Sequence, residues 1–568
     1  MMHRLLLSLL CIPWSLASTA PISSDTHASP SDGHHVTIPE IAHPQEETPQ
    51  WWYRSGAAKA AANGAIDGNA KNVILFLADG MSLPTVAAAR ILDGQRRGQP
   101  GEENLLSWER FPYTAFSKTY TVDSQTPDSA GTMTAITTGV KTHMGAIGVS
   151  AGRRNDCRNS LDKQRLTWLE LADSAAMSTG IVTTARLTDA TPAATYAHVP
   201  DRRWENDVTL PAAAARQGCR DIARQMVSAP FGQGPQVMLG GGRSHFLPVT
   251  EQDPEYPQDT GLRRDHRNLI EDWRRLHPHG HYVWNRGQFE AAADAPALLG
   301  LFESGHMQYE HDRNKSENGE PSLAEMTRAA IKILSRNPNG YVLMVESARI
   351  DHAHHAGNAY RALDETIALS EAVQTALETA VLEDTLIIVT ADHSHTLNFV
   401  GYPARGNPIL GKVRGRGSFD GASRRLARDL AGHAYTTLSY ANGPGYTGRS
   451  DAQPRGVKRF EHRPSRFESV SHRPDLDTVD TESPDYLQEA LVPLSAESHG
   501  GDDVGIWAQG PGSSAIRGTV EQNTIYHFIV QATPRLRERL CTAGTCDDRG
   551  VPVELPKWQD FIRNGGDP

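Results

Sequence analysis

A chain of 568 residues, 38% hydrophobic and 22% charged, has the composition of a soluble globular protein, long for one domain and ample for a large core. Its formal net charge of -11 argues against a general nucleic-acid-binding surface, which needs net or clustered positive charge, but permits a pocket made cationic by metals. One large catalytic domain carrying sizeable insertions is expected.

Residues 1–20 hold Arg4, an apolar run reaching Trp14 and small residues at Ala17 and Ala20, the pattern of a secretory signal peptide. That run is too short to span a bilayer, and no later segment is apolar enough to do so. The four cysteines beyond the leader then read as two disulfides. Cys541 with Cys546 closes a small loop and Cys157 with Cys219 a long one; free buried thiols are the alternative. Residues 21–50, rich in Pro, Ser, His and acidic side chains, read as a flexible arm in which His34 and His35 are solvated. A helix is expected over 51–65.

Short continuous apolar runs follow at 72–78, 179–184, 236–239, 340–345 and 385–390, of the kind buried in a parallel sheet. Helical patterns such as 359–381 lie between them, and the alternation means an α/β fold. Residues 401–497, rich in Arg, Gly, Pro and Ser, read as an insertion. Its Arg-dense part, 412–428, reads as a solvated surface because acids are scattered through it. A short strand is expected over 504–508, and 547–568 reads as a polar tail.

Open α/β sheets bind ligands at the carboxyl ends of their strands. Asp79 follows the first run, Glu346 the fourth, Asp392 and His393 the fifth, and Asp189 and Thr191 come shortly after the second. The densest stretch is Asp351-His352-Ala353-His354-His355, where the spacing of Asp351 and His355 sets both on one helical face. Asp79, Asp392, Asp351, His393, His355 and His499 together supply three carboxylates and three imidazoles, which suit two zinc ions with open positions. The oxygens of Asp79, Thr191 and Glu346 suit magnesium. Ser129, in Thr126-Pro-Asp-Ser-Ala-Gly-Thr132, stands where a helix N-terminus would present its hydroxyl to an anion. Alone it reads as a cap. Beside metals it becomes a nucleophile that a zinc ion can hold as alkoxide.

Six motifs in order carry a resemblance to the metal-dependent alkaline phosphatases, bacterial and animal: 72–81, 127–132 followed by 138–142, 189–194, 345–355, 390–395 and 497–501. Over 51–546 the resemblance implies a catalytic domain built as a three-layer sandwich. A central, mostly parallel sheet is flanked by helices, with a crown-like lobe at about 401–497 and a calcium lobe at about 250–325. The implied reaction converts phosphate monoesters to an alcohol and inorganic phosphate through a phosphoserine at Ser129. Asp351, His355 and His499 would hold one zinc, and Asp79, Asp392 and His393 the second. Asp79 would also bridge to magnesium, completed by Thr191 and Glu346. Arg202 falls at the phosphate-clamping arginine, oriented by Asp128, with Arg203 as the neighbouring alternative.

Asp189 and Thr191 resemble the bacterial magnesium surroundings, whereas His352 resembles the animal enzymes and is expected near the phosphate or its water network. His354 is expected to pack rather than to bind metal. Three further stretches resemble the calcium lobe of animal members, with Glu255, the Phe302 carbonyl, Glu303 and Glu320 as ligands. The resemblance also implies a homodimer acting on small phosphate monoesters, secreted or periplasmic, without specific nucleic-acid binding. The polar residues after Cys546 carry no lipid-anchor signal. The rival readings are a phosphodiesterase of the same superfamily and a non-catalytic phosphate- or metal-binding protein; intact Ser129 and Arg202 argue against the second.

Overall fold

Every residue of the strand Asn72–Ala78 is buried, and its side chains alternate between two cores. Val73, Leu75 and Leu77 face one, and Ile74, Phe76 and Ala78 face the other. An apolar run with no polar face is what a strand covered on both sides requires. The computed structural model describes residues 47–150, 156–228, 230–415 and 425–562. The expected signal peptide, most of the arm with His34 and His35, and the end of the tail lie outside these residues.

The strands in chain order are β1 (Asn72–Ala78), β2 (Tyr113–Lys118), β3 (Ser178–Arg186), β4 (Val237–Gly241), β5 (His281–Val283), β6 (Leu298–Leu301), β7 (Tyr341–Ser347), β8 (Thr385–Ala391), β9 (Ser394–His395), β10 (Leu397–Phe399), β11 (Leu438–Gly443), β12 (Ala490–Pro493), β13 (His499–Gly500), β14 (Val504–Gln509) and β15 (Gly518–Glu521). Ten of them form one sheet in the order β15-β2-β14-β8-β1-β7-β3-β4-β6-β5. β14 alone runs against its neighbours β8 and β2; the other pairings in the sheet are parallel.

Helices cover both faces. Pro49–Ala62, Ser129–Thr138, Trp168–Ser174 and Thr524–Ala532 contribute to the core of Leu75. Leu83–Arg96, Leu323–Leu334 and Ala359–Thr379 contribute to the core of Phe76. The fold is thus α/β, with a large, mostly parallel sheet between helical layers.

All five expected strands are present, as β1, β3, β4, β7 and β8, and the short strand near the C-terminus is β14. Of the remaining sheet members, β5 is three residues long and β2 buries only Ala115 and Ser117 of its six, whereas β6 is a short, fully buried apolar run that was not singled out. Within 401–497 the regular structure is sparse, with β11 and β12 joining β10 in a separate three-stranded sheet. The disulfides Cys157–Cys219 and Cys541–Cys546 are both formed.

Composition gave a polar tail after Cys546, yet Val551, Trp558 and Phe561 are buried. Trp558 donates its ring N–H to Glu170 at 3.3 Å, so this part of the chain closes the core. Among the described residues, no helix is long and apolar enough to cross a membrane.

Candidate active site

The sheet delivers its acids at one edge. Asp79 follows β1, Glu346 is the penultimate residue of β7, Asp392 follows β8, and Asp189 and Thr191 come just after β3. Parallel strands all end on the same side, which is why residues so far apart in sequence meet. The helix Arg349–His355 starts immediately after β7, and the four-residue spacing within it sets His355 Nε2 3.4 Å from Asp351 Oδ1.

Ser129 opens the helix Ser129–Thr138, which ends at Gly139 with φ 74°, a left-handed conformation suited to glycine. The cap of that helix is Asp128, whose carboxylate accepts the Gly131 N–H at 3.1 Å. Ser129 Oγ is therefore free of capping duty. It lies 3.1 Å from His393 Nε2 and 3.4 Å from Asp79 Oδ1.

Two adjoining clusters of acceptors lie at this edge, one of them against the serine. In one, His355 Nδ1 donates to the Glu497 carbonyl and His499 Nδ1 donates to the Pro127 carbonyl at 2.7 Å. Both Nε2 lone pairs are left facing each other at 3.1 Å, and both face Asp351 Oδ1, at 3.4 and 3.3 Å. Lone pairs and a carboxylate crowded without a proton between them are satisfied by a cation, and the His-His-Asp set is one zinc accepts. In the other, His393 Nδ1 points to the Ser394 carbonyl, and Nε2 faces Asp79 Oδ1 at 3.4 Å and Asp392 Oδ2 at 3.3 Å. The clusters adjoin, with the rings of His393 and His499 stacked at 3.6 Å.

Beyond Asp79, Thr191 Oγ1 donates to Asp79 Oδ2 at 3.4 Å, and Glu346 accepts from Thr183. This third group is all oxygen, the donor set of a hard cation. Burial pushes the Asp79 carboxyl well above the usual carboxylate range, helped by the charges of Asp392, Asp351 and Glu346. Burial likewise pushes Glu346 up to about 8. Divalent cations relieve both costs at once.

His395 was not among the residues singled out from sequence. It lies 2.7 Å from Asp351 Oδ1 through Nε2 and 2.5 Å from Glu497 Oε2 through Nδ1. Burial opposes its charge, but the carboxylates of Glu497 and Asp351 push it up to about 10. His395 stands in one close group with Asp351, His355 and His499, and with a carboxylate at each ring nitrogen it is placed to donate to both. Its signal was the two-residue spacing from His393, which on extended chain brings alternate side chains to one side. His354, expected to pack, is fully buried, accepting from or donating to Thr85 Oγ1 at 3.0 Å and Tyr440 OH at 2.7 Å.

Arg202 reaches Asp128 Oδ2 at 3.3 Å and Asp189 Oδ1 at 3.0 Å. Arg203 turns away to Asp201 and its side chain is 63% exposed. Asp189, His306 and His352 form a further close group. Its members are already engaged by guanidinium groups: Asp189 by Arg186 and Arg202, His306 by Arg186, and His352 by Arg349. The group therefore offers cationic donors rather than room for a cation. His306 sits in a loop after β6 that carries no motif, so nothing in the sequence pointed to it.

In the expected calcium lobe, Gln308 joins two of the acids, donating its N–H to Glu320 at 3.0 Å and its amide to Glu303 at 3.2 Å. Glu255 is held by Arg243 at 2.8 Å. Burial, then the charge of Glu303, pushes Glu320 up to about 8. These acids are not gathered within 4.8 Å of one another as the histidine clusters are.

Residues 70–534 match the family model described as alkaline phosphatase. The chain is 42% identical over 502 residues to the alkaline phosphatase of Gadus morhua, covering 86% of this chain and 98% of that protein. It is 43% identical over 473 residues to the tissue-nonspecific isozyme of alkaline phosphatase from Gallus gallus, covering 82% and 84%. Among solved structures, the alkaline phosphatase of Thermus thermophilus superposes with a TM-score of 0.57 at 24% identity, over 84% of this chain and 96% of that one. That of the Antarctic bacterium TAB5 does so at 0.52 and 20%, over 82% and 98%.

Proposed function

Because the chain belongs to the alkaline phosphatase family, whose members are metal-dependent phosphoric monoester hydrolases, we propose that it hydrolyses phosphate monoesters through a phosphoserine formed on Ser129. The observation that carries this reading is the cap. Asp128 takes the capping role, so the Ser129 hydroxyl is left free at a helix N-terminus, beside His393 and Asp79.

Ser129 attacks phosphorus in line with the departing ester oxygen, and water then displaces the serine to release inorganic phosphate. Arg202, its guanidinium held by Asp128 and Asp189, grips two phosphoryl oxygens, while the helix N-terminus adds N–H donors and positive potential. Asp79 is the carboxylate nearest the proton that must leave the serine. Asp351, His355 and His499 would hold one zinc ion, Asp79, Asp392 and His393 a second, and Asp79, Thr191 and Glu346 magnesium, and these ions would supply Lewis acidity to the serine, the water and the leaving oxygen.

Glu255, Glu303, Glu320 and the Phe302 carbonyl would serve as calcium ligands only if the ion drew the acids together and Glu255 away from Arg243, and the protein is an exported homodimer. Only the phosphoryl group is gripped, so leaving-group selectivity is low. Rates on an aryl phosphate monoester and the matching diester test the reading. The monoester is expected to be strongly preferred; a clear preference for the diester would move the assignment to a phosphodiesterase.

A further inference from the structure

Glu497 touches two residues of one cluster by two different routes. Its backbone carbonyl accepts from His355 Nδ1, and its own N–H donates to the His355 carbonyl at 2.9 Å, a reciprocal pair. Its side chain accepts from His395 Nδ1 at 2.5 Å, and His395 Nε2 reaches Asp351 Oδ1 at 2.7 Å. The other carboxylate oxygen is fixed by Thr396, whose N–H and Oγ1 lie at 2.7 and 2.6 Å. The residue is 1% exposed.

Its position is set from the inserted lobe. Gly443, the last residue of β11, has φ 124°, and a Cβ there would stand 2.9 Å from the Glu497 Cβ and 3.1 Å from its Cα. A glycine is required for the two backbones to approach so closely. The lobe thus presses Glu497 against the Asp351 cluster.

We propose that Glu497 is a positioning residue that fixes two of the three ligands of the first zinc together, His355 through its carbonyl and Asp351 through His395. The inference rests on the two-zinc reading above. Partners behind a ligand hold its tautomer and orientation, and losing one weakens metal binding by about 10- to 100-fold. Because Glu497 and His395 act in series on Asp351, removing either side-chain contact has the same consequence, and removing both adds little. The second cluster has no bond to Glu497 among the described contacts, so its zinc is untouched.

The test follows zinc release from the zinc-loaded protein into a chromophoric chelator for wild type, Glu497→Gln, His395→Gln and the double variant. Melting of the metal-free proteins is recorded in parallel. Wild type is expected to release two ions in two phases. Each single variant speeds one phase by about 10- to 100-fold and leaves the other alone, a selectivity that a general loss of stability, recorded as a lower metal-free melting temperature, would not produce. The double variant matches the singles. Release unchanged, both phases sped alike, or additive effects in the double variant would overturn the proposal. If Glu497→Gln does not fold, His395→Gln carries the same prediction alone. A wild type that holds no zinc would instead overturn the two-zinc reading, which separates the two failures.

Discussion

The Nε2 atoms of His355 and His499 stand 3.1 Å apart, each ring having committed its Nδ1 proton to a backbone carbonyl. Neither Nε2 has a proton to give the other or the Asp351 carboxylate, which is bonded on its far side by His395, and a cation stabilises such an arrangement. The zinc-loaded protein is therefore expected to hold two transition-metal ions per chain, and His499→Ala to lose one of them. Elemental analysis of both proteins checks this; a wild type holding fewer than two contradicts the site.

Arg202 and Arg203 are neighbours with opposite fates. Arg202 lies between Asp128 and Asp189, whereas Arg203 is turned out to Asp201. Hydrogen bonds to charged groups contribute about 1.5–3 kcal/mol, so Arg202→Ala should lower kcat/KM on the order of 10- to 100-fold and weaken inhibition by inorganic phosphate. Arg203→Ala should do neither. Equal losses in the two variants would remove Arg202 from the phosphate site.

A calcium ion taken up in the Glu303 and Glu320 lobe would have to displace the proton that burial favours on Glu320, pushed up to about 8. Below that value proton and calcium compete, so calcium affinity rises as pH increases toward 8 and binding at neutral pH releases a proton. Calorimetry in two buffers of different ionisation enthalpy measures that release. Calcium binding that does not depend on pH would argue against Glu320 as a ligand.

Glu365, fully buried on the helix Ala359–Thr379, is pushed up to about 8 by burial, against the opposing effects of the Glu310 N–H and Arg349. The sign follows from proton counting. Between an unfolded value near about 4.5 and the folded value, the native state keeps a proton that the unfolded chain loses. Stability from this group is complete below the lower value and is lost as pH rises toward 8. Glu365→Gln removes the dependence, so its melting temperature should gain on wild type from pH 5 to pH 8. Parallel melting curves across that range would show that the carboxyl titrates normally.

The parts of the fold legible in sequence were those with a one-dimensional signature. A strand covered on both faces writes a continuous apolar run, so β1, β3, β4, β7 and β8 could be placed, and with them Asp79, Glu346, Asp392 and His393 at the sheet edge. β2, half exposed, and β5, three residues long, write no such run. The capping role of Asp128 could not be read, because Asp and Ser side by side are equally good caps and only geometry chooses between them. His395, Glu497 and the arginines around Asp189 act through partners far away in the chain. Trp558 and Phe561 were hidden by the polar residues between them, since scattered aromatics bury as well as a run does.

The central claim is that Ser129 carries the phosphoryl group between the two displacements. The protein is incubated with a monoester labelled in its phosphoryl group, quenched in acid and digested, and the label is located among the peptides. Label on the Ser129 peptide, with no label and a loss of turnover on the order of 10³-fold or more in Ser129→Ala, is the predicted result. Label on another residue, or undiminished turnover by Ser129→Ala, would contradict it.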